Sequence, residues 1–522
     1  MPEPAQGITT RRTSRRTFRK VLVANRGEIA VRVLRTLREL GMRGAVAYSD
    51  ADRKSLAVLM ADEAYRIGPP PSRESYLRAD ALVALAVDIG ADAIHPGYGF
   101  LSENARFAEL CEQAGVELIG PPAAAIAAMG SKIESRRLMQ QAGVPTVPGG
   151  HDPLPDLAVA ERAAAAIGYP VMLKAAAGGG GKGMRLIGSA GELGAAYRGA
   201  RSEAAASFGD DAVYLEKYLE RPRHVEIQVI GDRHGTLVSL GERECSLQRR
   251  HQKVVEEAPS TAVSPALRAA MGEAAVKAAR AVGYWNAGTV EFLLGADGSF
   301  YFLEMNTRLQ VEHPVTELVT GLDLVRAQID VAQGEPLPPS FHGVVPRGHA
   351  IEVRLYAEDP YRNYAPSPGR IELLRWPQGP GVRNDVGVYE GCEVSIHYDP
   401  MLGKLIVWGA DRQQALERLA RALDELRLEG VATNIPLFQA LLADEQFRRG
   451  DLDIAMLDRK LKAGELVLPT PAVDRDLPFV AAALAELEHS RRAVGAAQPR
   501  RGARPRWSEA ARRLALRGGS WS

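Results

Sequence analysis

Residues 288–314 read GTVEFLLGADGSFYFLEMNTRLQVEHP. Two apolar runs flank Asp297-Gly298, a strong signal for a two-residue hairpin turn between antiparallel strands. With those two residues as the turn, Ala296 faces Ser299, and counting outward sets Glu291 directly across from Glu304. A four-residue loop leaves the two carboxylates diagonal on one face, and only an odd loop length separates them. Like charges opposed on a sheet repel, and a divalent cation is the natural compensator. Asn306 lies two residues on, on the same face. It completes a hard-oxygen set that suits Mg²⁺ or Mn²⁺ beside nucleotide phosphates. Polar residues continue at alternate positions through Arg308, Gln310 and Glu312, with Met305, Leu309 and Val311 between them. A strand with one solvated face has the same pattern, but an amide, a guanidinium and a carboxylate next to a second carboxylate favour a site.

The segments before this hairpin also read as antiparallel strands. YPVMLKAAA (169–177), MRLI (184–187), VYLEKYLE (213–220), HVEIQVI (224–230) and TLVSLGER (236–243) are strand-like, with the turn GDRHG between the last two. The middle of the chain is therefore α+β. The N-terminal part has a different rhythm. VLVA, the amphipathic helix NRGEIAVRVLRTLRELG, GAVAYS, ADAIHPGYGF, the helix ENARFAELCEQAG and VELIGP alternate strand and helix up to about residue 130. That alternation predicts a doubly wound, parallel α/β sheet. From about Arg347 to Ala463, strands and the helical run ADRQQALERLARALDELRLEG form a third unit. Residues 464–522, with proline-rich turns, one helix-like run and an Arg/Gly-rich end, read as an appendage.

At 522 residues the chain has ample length for several domains with buried cores. A net charge of +1 gives no support for a nucleic-acid or membrane partner, and no apolar run reaches the length of a bilayer span. Cys111, Cys245 and Cys392 are far apart and show no zinc or redox spacing. They fit a reducing cytoplasm. The first residues, with Arg11, Arg12, Arg15 and Arg16 among Thr and Ser, resemble an organelle transit peptide in composition. They lack the apolar stripe of an amphipathic helix, so a disordered basic tail over 1–17 is expected, with a mitochondrial address as the minor alternative.

Gly178, Gly180 and Gly183 satisfy GxGxxG, but the following MRLI reads as strand where a dinucleotide fingerprint needs a helix. Lys182 is followed by Gly183, so the loop is no Walker motif either. A glycine hairpin whose backbone N–H groups close over phosphates remains, with Lys174 in the strand that enters it. His224, Glu226 and Gln228 alternate on one strand. CSLQRRHQKVVEE reads by default as a charged, solvated loop that could also line an anion site. No arrangement for covalent catalysis by the protein is legible.

Ten strings carry a resemblance to one family. They are VANRGEIAVRV, HPGYGFLSEN, MGSK, LKAAAGGGGKGM, YLEKYLERPRHVEIQV, CSLQRRHQKVVEEAP, GTVEFL, EMNTRLQVEHPVTE, HAIEVRLYAEDP and HYDPMLGKLIVWG. Together they closely resemble the biotin carboxylases of the ATP-grasp superfamily, from about Phe18 to about Ala463. The resemblance implies a Rossmann-like N-terminal domain over 18–130 and an ATP-grasp domain over 131–346 with a mobile lid at about 147–218. A C-terminal biotin carboxylase domain would cover 347–463.

The resemblance also implies an enzyme that uses ATP and bicarbonate to carboxylate biotin through carboxyphosphate. Lys132 and Lys174 would meet ATP phosphates under the loop Gly178, Gly179, Gly180, Gly181 and Gly183. Glu216, Lys217 and Leu219 would hold adenine, with His224 and His251 near the nucleotide. Glu291, Glu304 and Asn306 would bind Mg²⁺ or Mn²⁺, in agreement with the hairpin. Lys253, Arg308, Gln310 and the Val311 backbone would hold bicarbonate, Glu312 would deprotonate it, and Arg354 with Tyr98 would face biotin. No lysine in the chain is flanked by Met on both sides, and no length remains for a carboxyltransferase. Biotin would therefore arrive on a separate carrier protein, with a separate carboxyltransferase, and a homodimer is the family's expectation. The parent enzyme would be an acetyl-CoA or other acyl-CoA carboxylase of fatty acid biosynthesis, with pyruvate carboxylase as the alternative. Two rivals are a different bicarbonate-using ATP-grasp ligase and a non-catalytic assembly subunit.

Overall fold

The computed structural model describes residues 16–150, 153–175, 184–208, 211–469 and 472–496. The basic tail up to residue 15 and the glycine loop Gly178–Gly183 lie outside the described residues. The chain divides into two units, Met1–Val467 and Leu468–Ser522. In the second, one helix, Ala472–Ala496, carries exposed Leu477, Phe479, Val480, Leu484 and Leu487.

The N-terminal alternation folds as expected. Five parallel strands, β1 (Lys20–Val23), β2 (Arg43–Ser49), β3 (Glu63–Gly68), β4 (Ala93–His95) and β5 (Glu117–Leu118), lie in the order β3-β2-β1-β4-β5. Val21, Leu22 and Val23 are completely buried, as a strand covered on both faces requires. The strand order reverses between β1 and β4, and ligands of such sheets bind outside the carboxyl ends at that switch point. The loop leaving β1 and the first turn of the helix Gly27–Glu39 hold Asn25–Glu28, and the loop leaving β4 holds Pro96–Phe100. Gly97 takes φ +62, and a Cβ there would sit 2.9 Å from Asn25 Nδ2. That amide donates to Pro96 O at 2.7 Å and Tyr98 O at 2.8 Å, tying the two loops together.

His95, at the end of β4, is fully buried and accepts from Gly97 N through Nδ1 at 3.0 Å. Burial, with the Arg32 charge in the same direction, lowers its pKa from 6.5 to about 4. The imidazole is thus neutral in the fold while the unfolded chain protonates first. The stability this gives is complete above about pH 6.5 and is lost as the pH falls toward 4, by up to roughly 3 kcal/mol. Urea midpoints in wild type should drop on acidification more steeply than in His95→Gln.

Residues 154–217 build a lobe with its own core. The strands β6 (Val171–Ala175), β7 (Met184–Ile187) and β8 (Val213–Lys217) pair antiparallel in the order β7-β6-β8. The helices Leu157–Ile167 and Ala190–Phe208 pack on them through Ala160, Ala164, Leu193 and Ala200.

Eight further strands form one antiparallel sheet. It runs from β13 (Phe300–Asn306) through β12 (Asn286–Leu294), β9 (Arg223–Gly231), β10 (Leu237–Arg249), β11 (Gln252–Ala258) and β14 (His349–Tyr356). It ends on Met401–Gly409 and Val382–Val386. The strands on either side of residue 347 thus share a single sheet. The run expected as one helix to Gly430 stops at Glu425. Leu426 turns inward to a buried position, and Arg427–Glu429 pairs as a strand with Leu373–Arg375.

Candidate active site

Glu291 does oppose Glu304, by a route the sequence did not disclose. The turn is five residues long, because Leu294 pairs with Phe300 and Gly295 N donates to Ser299 O. That odd loop shifts the register by one. A bulge between Glu291 and Phe292 on the β12 side, leaving Leu303 as the extra residue, shifts it back. On its other edge Glu291 opposes Glu226 of β9, and Glu226 opposes Arg243 of β10. A row of one cation and three carboxylates therefore crosses four strands.

Two cations offset the buried carboxylates of the row, Glu226 and Glu291. Arg243 is completely buried and grips Glu226 Oε1 through Nε at 2.5 Å. Its other nitrogens reach Gln228 Oε1 at 2.7 Å and the hydroxyls of Thr289 and Thr316 at 3.0 Å each. Lys253, from β11, places Nζ 2.7 Å from Glu226, 3.0 Å from Glu291 and 2.8 Å from Glu312. Burial favours the neutral amine, but those three carboxylates win and hold the lysine well above its ordinary value.

The polar alternation expected to run as one strand to Glu312 ends earlier. Strand β13 stops at Asn306, and Glu312 immediately precedes the helix His313–Thr320, whose start is set by Pro314. The intervening residues fold back over the sheet. Thr307 N and Arg308 Nε bond Glu103, at 2.9 and 3.0 Å, and Gln310 Nε2 returns to Glu291 Oε1 at 2.9 Å. Glu312, fully buried, takes Lys253 on Oε1 and Arg354 Nη2 on Oε2 at 2.9 Å. Burial raises a carboxyl's pKa, but Lys253, Arg354 and Arg243 outweigh it and hold Glu312 well below the usual range. It is a carboxylate at neutral pH.

CSLQRRHQKVVEE is a hairpin where a solvated loop was expected. Arg250 and His251 take φ 51 and 66, the two left-handed positions of a tight turn, so β10 and β11 pair directly. That pairing carries Lys253 to the carboxylates and leaves His251 at the exposed tip. His224 is buried, with Nε2 3.0 Å from Glu291 Oε2 and Nδ1 3.0 Å from Gln248 Nε2.

Among the described residues, Glu304 meets the Asn306 amide at 3.2 Å and no cation. An exposed carboxylate beside Glu291 and the Asn306 amide is a hard-oxygen donor set, and it fits a divalent cation held with nucleotide phosphates. On the neighbouring lobe, Lys174 and Arg136 both pair with buried Glu216. Lys217 Nζ bonds Gly168 O and Tyr169 O at 2.9 and 3.1 Å, and Leu219 follows β8, half buried. Lys132 opens the helix Lys132–Gln141.

A cavity of about 550 Å³ opens beside Arg354, the partner of Glu312. Arg308, Val311 and Arg354 line it together with Tyr98, Arg26 and Tyr398. Three strings without an expected role, or with a role for Tyr98 alone, thus converge there: VANRGE, HPGYGF and HYDPM. Tyr98 OH donates to Glu28, which also meets buried Lys404 at 3.1 Å, and Lys404 Nζ donates to Val311 O at 2.6 Å. A larger cavity, about 750 Å³, lies between Arg221 and Lys460 and holds none of the expected site residues. Reasoning from sequence missed Arg243, Glu256, Lys404 and Glu28. All four are buried charges, and alternation alone cannot distinguish a buried polar face from a wet one.

Three family models match the chain. They are the biotin carboxylase N-terminal domain over residues 17–126, the carbamoyl-phosphate synthase L chain ATP-binding domain over 131–340, and the biotin carboxylase C-terminal domain over 352–459. A pyruvate carboxylase subunit of Methanothermobacter thermautotrophicus is 55% identical over 441 residues, covering 84% of this chain and 90% of that one. The biotin carboxylase of Halalkalibacterium halodurans is 52% identical over 445 residues, covering 85% and 98%. The biotin carboxylase domain dimer of Hydrogenobacter thermophilus 2-oxoglutarate carboxylase, solved with MgADP, ADP and bicarbonate, is 47% identical. It superimposes with a TM-score of 0.76, over 85% of this chain and 98% of that one.

Proposed function

The chain belongs to the biotin carboxylases, ATP-dependent ligases, and on that footing we propose that it carboxylates biotin on a separate carrier protein, in the first half-reaction of an acyl-CoA carboxylase. The observation that carries the reading is the buried Glu312 carboxylate held between Lys253 and Arg354, of which Arg354 lines the cavity. Bicarbonate is a poor nucleophile until it loses its proton. Lys253, Arg308 and Arg354 attract the anion and favour its deprotonated form. Glu312, already ionised, stands where that proton would go. Gln310 and the Val311 backbone complete the cradle, with the Val311 carbonyl fixed by Lys404.

On the nucleotide side, Lys132, Lys174 and Gly178–Gly183 are assigned to the phosphates, and Glu216, Lys217, Leu219, His224 and His251 to the base and its neighbours. Glu291, Glu304 and Asn306 hold Mg²⁺, which when bound neutralises charge on the phosphates during transfer. Glu304 has the fewest other partners, so Glu304→Gln should weaken metal binding most cleanly. The Mg²⁺ needed for half-maximal ADP release should rise roughly tenfold or more, with a matching loss of bound Mn²⁺ by electron paramagnetic resonance.

Arg354 and Tyr98 line the side from which biotin enters. Its carrier and the carboxyltransferase are other polypeptides, and the working form is a homodimer, as in the Hydrogenobacter domain. The pyruvate carboxylase relative favours a second reading of the parent enzyme, with pyruvate as final acceptor. The unpaired cysteines support a cytoplasmic site of action, with the mitochondrion as the alternative. No helix among the described residues is long and apolar enough to cross a membrane. Incubation with labelled bicarbonate, ATP, Mg²⁺ and free biotin should place label on biotin. Label absent from biotin while ADP accumulates would point to another acceptor.

A further inference from the structure

Arg354 is held by more than Glu312. On the neighbouring strand, Glu256 Oε1 accepts from Arg354 Nε at 2.7 Å and lies 2.5 Å from Nη2, the nitrogen that also reaches Glu312. Glu256 is completely buried. Directly across from it in the β11–β14 register stands Glu352, also completely buried, with neither carboxyl oxygen hydrogen-bonded. Two ionised carboxylates opposed in a dry sheet would repel, and an unsatisfied buried carboxylate is costly. Glu352 therefore stays a neutral acid, and the guanidinium is left to Glu256.

We propose that Glu256 is the positioning residue for Arg354: from the adjacent strand its carboxylate holds the Nε–Nη2 edge of the guanidinium and fixes the direction in which Arg354 meets its substrate in the cavity. The inference rests on the role given to Arg354 above. A guanidinium has five donors in a rigid plane, so gripping one edge sets the aim of the rest. Glu312 alone cannot provide that grip, because it must accept a proton during turnover and its attraction then weakens. Glu256 supplies an anchor that the reaction does not consume.

The titratable groups around Glu256 come from every element packed on it. They are Cys245 of β10, Lys253 of its own strand, Glu312, and Glu352, Arg354 and Tyr356 of β14, with Lys404 facing Glu352 from the next strand. Burial raises Glu352 well above the ordinary carboxyl range; Glu256 and Glu312 add to that, and Lys404 and Arg354 only partly oppose it. Burial and Glu312 raise Glu256 to about 7, against the pull of Arg354 and Lys253. Glu256 therefore grips Arg354 as a carboxylate above about pH 7 and loosens as it protonates below.

The test compares wild type, Glu256→Gln, Glu256→Asp and Glu352→Gln in full-length protein, by biotin-dependent ADP release between about pH 6 and 9. Glu256→Gln should lower kcat roughly tenfold to a hundredfold at the alkaline end, as expected for a misaimed group. It should leave KM for ATP unchanged and lose the acid limb near pH 7 expected of wild type. Glu256→Asp, still ionisable, should recover part of kcat and regain an acid limb. Glu352→Gln replaces a neutral acid by a neutral amide at the same depth, and should stay within about threefold of wild type with its acid limb intact. Full kcat with an unchanged limb in Glu256→Gln would overturn the proposal. So would a loss that tracks thermal stability and raises KM for ATP, because that marks a purely structural role. Wild type without any biotin-dependent turnover would instead overturn the functional reading itself.

Discussion

Glu312→Gln is expected to cut bicarbonate-dependent ADP formation by about 10²–10⁴-fold, the range that a positioned general base contributes. The amide matches the carboxylate in shape, so the fold should survive and KM for ATP should hold. Its one carbonyl oxygen can still accept from Lys253 or from Arg354, which reach different oxygens of Glu312 at 2.8 and 2.9 Å, but it cannot take a proton. KM for bicarbonate adds a second readout. With Glu312 neutral, Lys253 and Arg354 have lost a shared counter-charge and should attract an anion at least as well as before. The loss should therefore fall on kcat, with KM for bicarbonate unchanged or lower. A rise in that KM with kcat preserved would make Glu312 a binding residue and leave the base unidentified.

Arg243→Met is expected to destabilise the protein by about 3–5 kcal/mol, the usual consequence of removing one partner of a buried ion pair. Arg243 is the largest side chain that is fully buried, and it lies at the head of the carboxylate row. Methionine fills much of its volume but leaves Glu226, Gln228, Thr289 and Thr316 without their shared donor. Glu226 keeps only Lys253, which it shares with Glu291 and Glu312. Urea unfolding should show the loss directly. Arg137→Met, which removes an exposed pair with Glu134 on a helix surface, should leave the midpoint where it was. Equal midpoints for wild type and Arg243→Met would mean that the row is neutralised by Lys253 without help.

How far the sequence disclosed this site follows from which interactions are local. Strand and helix alternation placed the parallel N-terminal sheet, because each element there buries a short apolar run of its own. The opposition of Glu291 and Glu304 was also legible, though two details of its derivation were wrong. The loop is odd, and a bulge at Leu303 compensates, so the register expected from a two-residue turn returned by cancellation. The pairing of Lys253 with three carboxylates was not legible. It depends on the left-handed Arg250-His251 turn that brings β11 back against β10, and that pair lacks the Asn-Gly or Asp-Gly signature of such turns. Nor was the end of β13 at Asn306. The polar period continues to Glu312, but the backbone leaves the sheet to bond Glu103, about two hundred residues away in sequence. Buried charges were hardest to see. Glu256, Glu352 and Lys404 look like the wet face of a strand until the neighbouring strands are known.

Whether this chain carboxylates biotin is decided by ADP release from the purified full-length protein with ATP, Mg²⁺, bicarbonate and free biotin, each omitted in turn. ADP formation should require bicarbonate and Mg²⁺, rise with biotin, and collapse in Glu312→Gln. ADP formation indifferent to biotin, or no ATP turnover with the full mixture, would contradict the assignment.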